Sequence, residues 1–442
     1  MARQGLRYGA RYFETDAMNN RAPLEPTDFA GVPTVWPGDD TSRIPFWAYT
    51  REDIYRRELE RLFYKGHWCY VGLEAEVPGP GDFLRTVIGE RSVILVRDAD
   101  GALNVVENRC AHRGMRFCRA KSGNRSDFIC PYHQWSYSLK GELQGVPLKR
   151  GVRQEGQWLG GMPADFKNSE HGLTRLRVAA RGGVVFASFD EDVESFEDFM
   201  GPMMLGYFDR LFNGRKLTLL GHSRQRIPGN WKLMQENIKD PYHPGLLHTW
   251  FVTFGLWRAD NRSQLRMDSQ GRHAAMISTR GATKPGADVT AGVASFKATM
   301  TLNDDRFLDV VPEPWWGGPS AVMLTVFPSV IFQQQVNSVS TRHIQPRGPH
   351  AFDFVWTHFG FDDDTAEMTR RRLRQSNLFG PAGFVSADDG EVIEFSQQNF
   401  RADDSQHTLA QLGGRDVADA EHQVTETLIR GMYAYWRRKM DL

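Results

Sequence analysis

Apolar and polar positions alternate with a short period along much of the chain. Between residues 66 and 184, the runs DFLRTVIG, SVILVRD, LNVVEN and GGVVFASF are rich in β-formers and separated by turns holding Gly, Pro and Asp. That pattern predicts a small antiparallel β domain. Upstream, REDIYRRELERLFY (51–64) sets Ile54, Leu59, Leu62 and Phe63 among charges, a spacing that predicts an amphipathic helix. Residues 1–45 are polar, with several Gly and Pro, and read as an extended arm. Beyond Asp190 the pattern mixes. Residues 230–250 hold a helix interrupted by Pro241, Pro244 and Gly245. AVMLTVFPSVIFQQ, VNSVSTRHIQP and AFDFVWTHFGF alternate as strands over 320–360. Residues 363–378 and 421–439 read as helices, the second with Leu428, Ile429, Met432 and Tyr433 on one stripe. The second half is therefore α+β, with helices packed on an antiparallel sheet.

Length and charge narrow the class. A chain of 442 residues accommodates two to four domains at roughly 100–200 residues each. With 40% hydrophobic residues it can bury sizeable cores, which excludes bulk disorder. Lys+Arg and Asp+Glu both number 54, so net charge gives no case for nucleic acid or an anionic membrane as partner. Four cysteines are too few for a disulfide scaffold and favour a reducing compartment. The start lacks the apolar core of a secretory signal. The apolar stretch Ala321–Phe332 contains Pro328 and runs into three glutamines, so it reads as buried strands rather than a membrane span. Cytoplasm is the expected location.

Candidate chemistry lies in two constellations. Cys110, His112, Cys130 and His133 form Cys-x-His and, 17 residues on, Cys-x-x-His. Gly114 and Pro131 are turn residues suited to such loops. Two thiolates and two imidazoles fit structural zinc or a Rieske [2Fe–2S] cluster. Zinc pairs usually join like with like. A Rieske centre needs two Cys on one iron and two His on the other, which two parallel loops of one Cys and one His each supply. Cys69, in WCYVGL, reads as a buried small hydrophobe; Cys118 has no partner at useful spacing.

The second constellation is NWKLMQENIKDPYHPGLLH (230–248), which carries Glu236, Asp240, His243 and His248. Two histidines and a carboxylate make the facial triad of mononuclear Fe(II), with positions left open for dioxygen. On an ideal helix, His243 and His248 would stand about 140° apart. The prolines and glycine break the helix there and let both rings converge. The third ligand need not be local. FGPAGFVSADDGEVIEF offers Asp388 and Asp389, with Asp240 as rival; an acidic pair before glycine otherwise reads as a solvated turn.

Together these motifs resemble the large (α) subunit of Rieske non-heme iron aromatic ring-hydroxylating oxygenases, from about residue 45 to the C-terminus. The resemblance implies a Rieske β domain over 66–184 and a catalytic domain over 185–442. The catalytic domain has a helix-grip (START-like) fold, a curved antiparallel sheet around a long helix, and residues 1–65 belong with it. It implies Cys110, His112, Cys130 and His133 as ligands of one [2Fe–2S] cluster, and His243, His248 and Asp389 (fallback Asp388) as ligands of one mononuclear Fe(II). Asp240 matches an acid that bridges a neighbouring subunit's Rieske histidine and the first iron histidine. O2 is the cosubstrate. Electrons come from NAD(P)H through a separate reductase, often with a ferredoxin, and the assembly is an α3 or α3β3 ring with a small β subunit. No dinucleotide fingerprint opens a βαβ unit, which agrees with a separate reductase.

GDFLRTVIGE, YHQWSY, ENIKDPYH and SNLFGPAGFVS resemble the subgroup acting on aromatic carboxylates: salicylate, anthranilate and terephthalate. The implied product is a cis-dihydrodiol, a phenol or a catechol. Rival readings are a Rieske monooxygenase removing N- or O-methyl groups and a zinc-stabilised binding module. A carboxylate substrate calls for a cation. Arg342 lies on a predicted strand, sharing a face with Ser338 and Ser340, and its planar guanidinium suits a carboxylate. Arg430, in TETLIRGMYAYW, is a second candidate.

Overall fold

The computed structural model describes residues 34–254, 261–281 and 303–442. Most of the expected N-terminal arm lies outside the described residues.

The β-rich first half folds into three small antiparallel sheets and a two-stranded hairpin, Val152–Gln154 with Gln157–Leu159. One has four strands, in the order Leu103–Glu107, Arg91–Arg97, Asp82–Ile88 and Ser122–Asn124. A second joins Phe128–Ile129, Ser136–Tyr137 and Leu143–Gly145, and a third joins Arg177–Arg181, Val184–Ser188 and Cys69–Leu73. Phe83, Ile94, Val106, Phe117, Phe128 and Tyr137 pack into a core that also buries Cys110 and Cys130. The cysteine loops are thus anchored in a packed interior.

The second half is built on a seven-stranded antiparallel sheet. Its strands are β1 (Leu217–Ile227), β2 (Arg262–Met267), β3 (Ala274–Thr279), β4 (Ala321–Val326), β5 (Val330–Gln335), β6 (Ser338–Pro346) and β7 (Phe352–Phe361). The spatial order is β1-β7-β6-β5-β4-β3-β2. Helix α1 (Phe196–Leu211) covers one face, where Phe208 packs with Phe332, Val339 and Phe359. Helices α2 (Trp231–Lys239) and α5 (Thr427–Met440) cover the other, where Trp231, Met234 and Trp436 pack with Ile331 and Trp356. Because both faces are covered, β6 is buried along its whole length. Each large apolar side chain so buried contributes about 1.5–3 kcal/mol. Helices α3 (Ala366–Phe379) and α4 (Ser386–Ala402) complete the domain. The fold is the expected α+β, with a large antiparallel sheet wrapped by helices.

The acidic pair before Gly390 opens a 17-residue helix. Gly390 sits where α4 meets β1: a Cβ there would lie 2.3 Å from Gln225 Nε2. Close approach, not a turn, accounts for that glycine. The N-terminal helix also divides, running as α-helix over Glu52–Glu58 and as a π turn over Leu59–Phe63. Glu58 is fully buried, pairs with the Lys232 ammonium at 2.7 Å, and accepts from the indoles of Trp231 and Trp436. This cluster ties the N-terminal helix, α2 and α5 together.

Candidate metal centres

The two cysteine loops share one backbone design. Cys110 N donates to Met115 O and Gly114 N to Cys110 O; Cys130 N donates to Trp135 O and Gln134 N to Cys130 O. Gly114 and Gln134 hold the same loop position with φ of 69° and 56°. Each loop therefore turns back on itself and projects one thiol and one imidazole. Both thiols are buried, and burial, with Cys110 adding to it, pushes the Cys130 thiol up. The imidazoles of His112 and His133 lie outermost, their centroids 4.5 Å apart. His112 stacks on Trp135 at 4.7 Å, and its Nδ1 is buried with no hydrogen-bond partner. The Tyr137 hydroxyl sits 3.2 Å from Cys110 Sγ and accepts from Ala111 N. Two thiols on the inner side and two imidazoles on the outer fit a [2Fe–2S] cluster with one Cys₂ iron and one His₂ iron. Cys69 is buried among apolar groups, which push its thiol up to about 12, so it behaves as a small hydrophobe.

The second constellation converges as well. Helix α2 starts at Asn230, whose side chain accepts from Lys232 N, and ends at Asp240. Asp240 Oδ1 accepts from Tyr242 N and His243 N and turns the chain after the helix. Pro244–Leu247 forms one short turn of helix between the two histidines. His243 Nε2 and His248 Nε2 both face Asp389 Oδ1, at 3.5 and 3.3 Å. One donor atom from each of the three residues lies within 4.8 Å of the others. Two imidazoles and one buried carboxylate, all aimed inward, fit the facial triad of Fe(II). The electrostatics follow the geometry. Burial pushes the His243 imidazolium down, but Asp240 and Asp389 outweigh it and lift its pKa to about 9. Burial pushes Asp389 up, yet the two imidazoles hold it well below the usual carboxylate range.

Each outer nitrogen faces a carboxylate, but only that of His248 is aligned for a hydrogen bond. His243 Nδ1 is 3.3 Å from Asp240 Oδ2, and His248 Nδ1 is 3.1 Å from Asp388 Oδ2. The sequence left Asp388 and Asp389 as competitors; the structure gives them different neighbours. Asn237 went unnoticed in the sequence. It donates to Asp389 Oδ1 at 3.1 Å, and its own Oδ1 is buried without a partner. Its only signal was its place three residues before Asp240, on the same face of α2.

Arg342 is buried on β6. Its guanidinium lies 3.9 Å over the Trp356 ring, and its Nε has no partner. Burial pushes it down to about 9, opposed by the charge of Asp389. Arg430 is placed differently. It donates to the main-chain carbonyls of Ala410, Leu412 and Asp416 and ties that loop to α5, so of the two candidate arginines it is Arg342 that feels the charge of Asp389.

Residues 67–155 match the Rieske [2Fe-2S] domain family, and residues 214–442 match the family described as "Ring hydroxylating alpha subunit (catalytic domain)". The chain belongs to the ring-hydroxylating α subunits. As such it is an oxygenase component that carries a Rieske cluster and a mononuclear iron, uses O2, and works with further protein components. This α subunit is 72% identical over 405 residues to the salicylate 5-hydroxylase large oxygenase component of a Ralstonia species, covering 92% of this chain and 96% of the relative. It is 38% identical to the anthranilate 1,2-dioxygenase large subunit of Burkholderia cepacia, over 92% of this chain and 95% of that one. Naphthalene 1,2-dioxygenase from a Rhodococcus species, solved with indole, shares the α-subunit fold. The TM-score is 0.74 at 24% identity, covering 90% of this chain and 94% of that one. No helix among the described residues is long and apolar enough to cross a membrane.

Proposed function

We propose that this α subunit hydroxylates salicylate or a closely related aromatic carboxylate, with electrons delivered from NAD(P)H through a separate reductase and ferredoxin. The observation that carries the reading is its 72% identity, over nearly the whole length of both chains, to a salicylate 5-hydroxylase component. The buried Arg342 beside the triad supplies the cation such an acid needs.

In this reading Cys110, His112, Cys130 and His133 hold the cluster, and His243, His248 and Asp389 hold the iron. Bound there, the two groups supply electron storage and O2 activation. The remaining roles belong to side chains. Asp388 holds the Nδ1–H of His248 and fixes that ring's tautomer and angle, and Asp240, 3.3 Å from His243 Nδ1, favours a proton on that nitrogen. Asn237 orients the Asp389 carboxylate. Arg342 takes the substrate's carboxylate bidentately and, braced on Trp356, sets the angle of the ring.

The domain division follows: residues 66–184 for the cluster, and 1–65 with 185–442 for the catalytic site. An α3 or α3β3 ring in the cytoplasm completes the proposal. Asp240 lines an open pocket of about 210 Å³ with Glu236, Glu426 and Leu409, so its carboxylate is reachable from outside. A neighbouring subunit's cluster histidine would approach there.

Turnover of an acid panel with a surrogate reductase and ferredoxin tests the function. Salicylate should give a ring-hydroxylated acid and be preferred over anthranilate and terephthalate. Turnover of neutral arenes, with every aromatic acid left unchanged, would refute the proposal.

A further inference from the structure

Five buried polar atoms without a hydrogen-bond partner gather on one face of three neighbouring strands. They are Gln333 Oε1 on β5, Ser340 Oγ and Arg342 Nε on β6, and Trp356 Nε1 and His358 Nδ1 on β7. Their register is continuous. Gln333 stands opposite Ser340, and Ser340 opposite His358; one rung along, Arg342 stands opposite Trp356. Opposed residues in an antiparallel sheet point to the same side, as do residues i and i+2, so all five share a face.

It is the face toward α2 and the triad. Ile331 and Trp356, on the Arg342 rung, pack in one core with Trp231 and Met234 of α2, and Arg342 feels the charge of Asp389. The opposite face is filled by α1. Burying a polar group without a partner is costly, and native cores rarely tolerate several together. A patch of five is therefore a surface that bound water or a ligand completes.

The side chains restrict which ligand. Gln333 donates its Nε2 to Gln335 Oε1, which leaves Oε1 as a pure acceptor. His358 has its Nε2 paired with Ser223 Oγ at 2.9 Å. Burial, with Arg342 adding to it, pushes the His358 imidazole down to about 4, so it is neutral. The row continues apolar: Met323 stands opposite Gln333, and Met276 opposite Met323. Thioethers are good neighbours for an aromatic ring. Arg342 and Gln333 are diagonal neighbours, about 7–8 Å apart at their Cα atoms. Two long side chains at that spacing can grip adjacent substituents of one ring.

We propose that this row is the subsite for a hydrogen-bond donor on the substrate ring, ortho to the carboxylate held by Arg342. Gln333 Oε1 accepts from that donor and Ser340 Oγ supports it. The subsite selects ortho-hydroxy and ortho-amino benzoates over benzoates lacking a donor. The inference rests on the aromatic-acid reading of Arg342.

Anaerobic calorimetric titration of the holoprotein with 2-hydroxybenzoate, 2-methoxybenzoate and benzoate tests it. The wild type should bind the hydroxy acid about threefold to tenfold more tightly than the other two, the worth of one neutral hydrogen bond. Gln333→Met should remove that preference and leave benzoate affinity within about twofold, with cluster absorption and iron content unchanged. Ser340→Ala, a smaller change, should weaken the hydroxy acid selectively and stands in if Gln333→Met does not fold. Equal losses for hydroxy acid and benzoate, or an undiminished preference in both variants, would overturn the subsite. A wild type that binds both acids equally would overturn the subsite alone. One that binds neither would overturn the aromatic-acid reading as well.

Discussion

Each histidine of the triad is backed by a different carboxylate, and the division of labour between Asp388 and Asp389 is set by helix geometry. Neighbouring residues on an α-helix point about 100° apart, so one acid of the pair reaches the imidazole Nε2 atoms while the other reaches behind His248. The sequence showed that an acid pair was present and that two histidines lacked a third ligand. Which acid did which was not legible, because it depends on how α4 is rotated against β1. The expected outcome of mutation differs accordingly. Asp389→Ala should lose the mononuclear iron and keep a normal Rieske spectrum. Asp388→Ala should retain an iron site with affinity weakened about 10- to 100-fold, the usual loss when the carboxylate behind a ligating histidine is removed. Metal analysis after dialysis against graded chelator reads both. Arg342 carries a separate prediction. Arg342→Leu should remove about 1.5–3 kcal/mol of charge-assisted binding, roughly tenfold to a hundredfold in KM for salicylate. Salicylamide, which lacks the charge, should lose much less. Equal losses for acid and amide would assign Arg342 a structural role.

Helices and strands were legible where one pattern dominated and obscure where two competed. DFLRTVIG, SVILVRD and AFDFVWTHFGF became strands because alternation and β-branched or aromatic residues agree there. α4 was missed because Gly390 follows two acids, a combination that turns and tight helix packing share. α2 behaves differently again. Its Glu236 is half-buried and accepts from the Tyr433 hydroxyl. Burial raises its carboxyl to about 7, against the opposing pull of that hydrogen bond. A carboxyl raised above its unfolded value of about 4.3 contributes stability fully present below that pH and lost as pH rises through 7. The loss amounts to about 3 kcal/mol once Glu236 ionises. Glu236→Gln should therefore flatten the fall in melting temperature between pH 5 and 8. A wild-type slope in the variant would show that Glu236 does not titrate there.

On the scale of the whole molecule, the two clusters of donor side chains were legible in the sequence and the assembly was not. Ligand spacing is local chemistry, whereas subunit arrangement came only from the family resemblance. The structure adds where each site opens. The cluster loops bury their thiols and turn the imidazoles outward beside exposed Tyr132 and Ile129. Asp240 faces an open pocket on the outer side of the triad. In the proposed ring, Cys110, His112, Cys130 and His133 would hold the electron-storing cluster with its histidines outward, and Asp240 would be the residue that another copy's cluster histidine meets. Asp240→Asn should keep both metal centres, since the amide is nearly isosteric. It should nevertheless slow oxidation of the reduced cluster severely, because an amide cannot offer two acceptors toward imidazole N–H groups. Stopped-flow absorbance of the cluster reads this directly, and a wild-type rate would remove Asp240 from the path. In the proposed function, one reduced assembly holds everything needed to hydroxylate an aromatic acid. This is tested most directly by a single turnover with no reductase or ferredoxin present, mixing the reduced holoprotein with salicylate and isotope-labelled dioxygen. Cluster oxidation together with ring-hydroxylated salicylate carrying the dioxygen label is the expected outcome. Cluster oxidation with salicylate recovered unchanged, or product whose new oxygen comes from water, would contradict it.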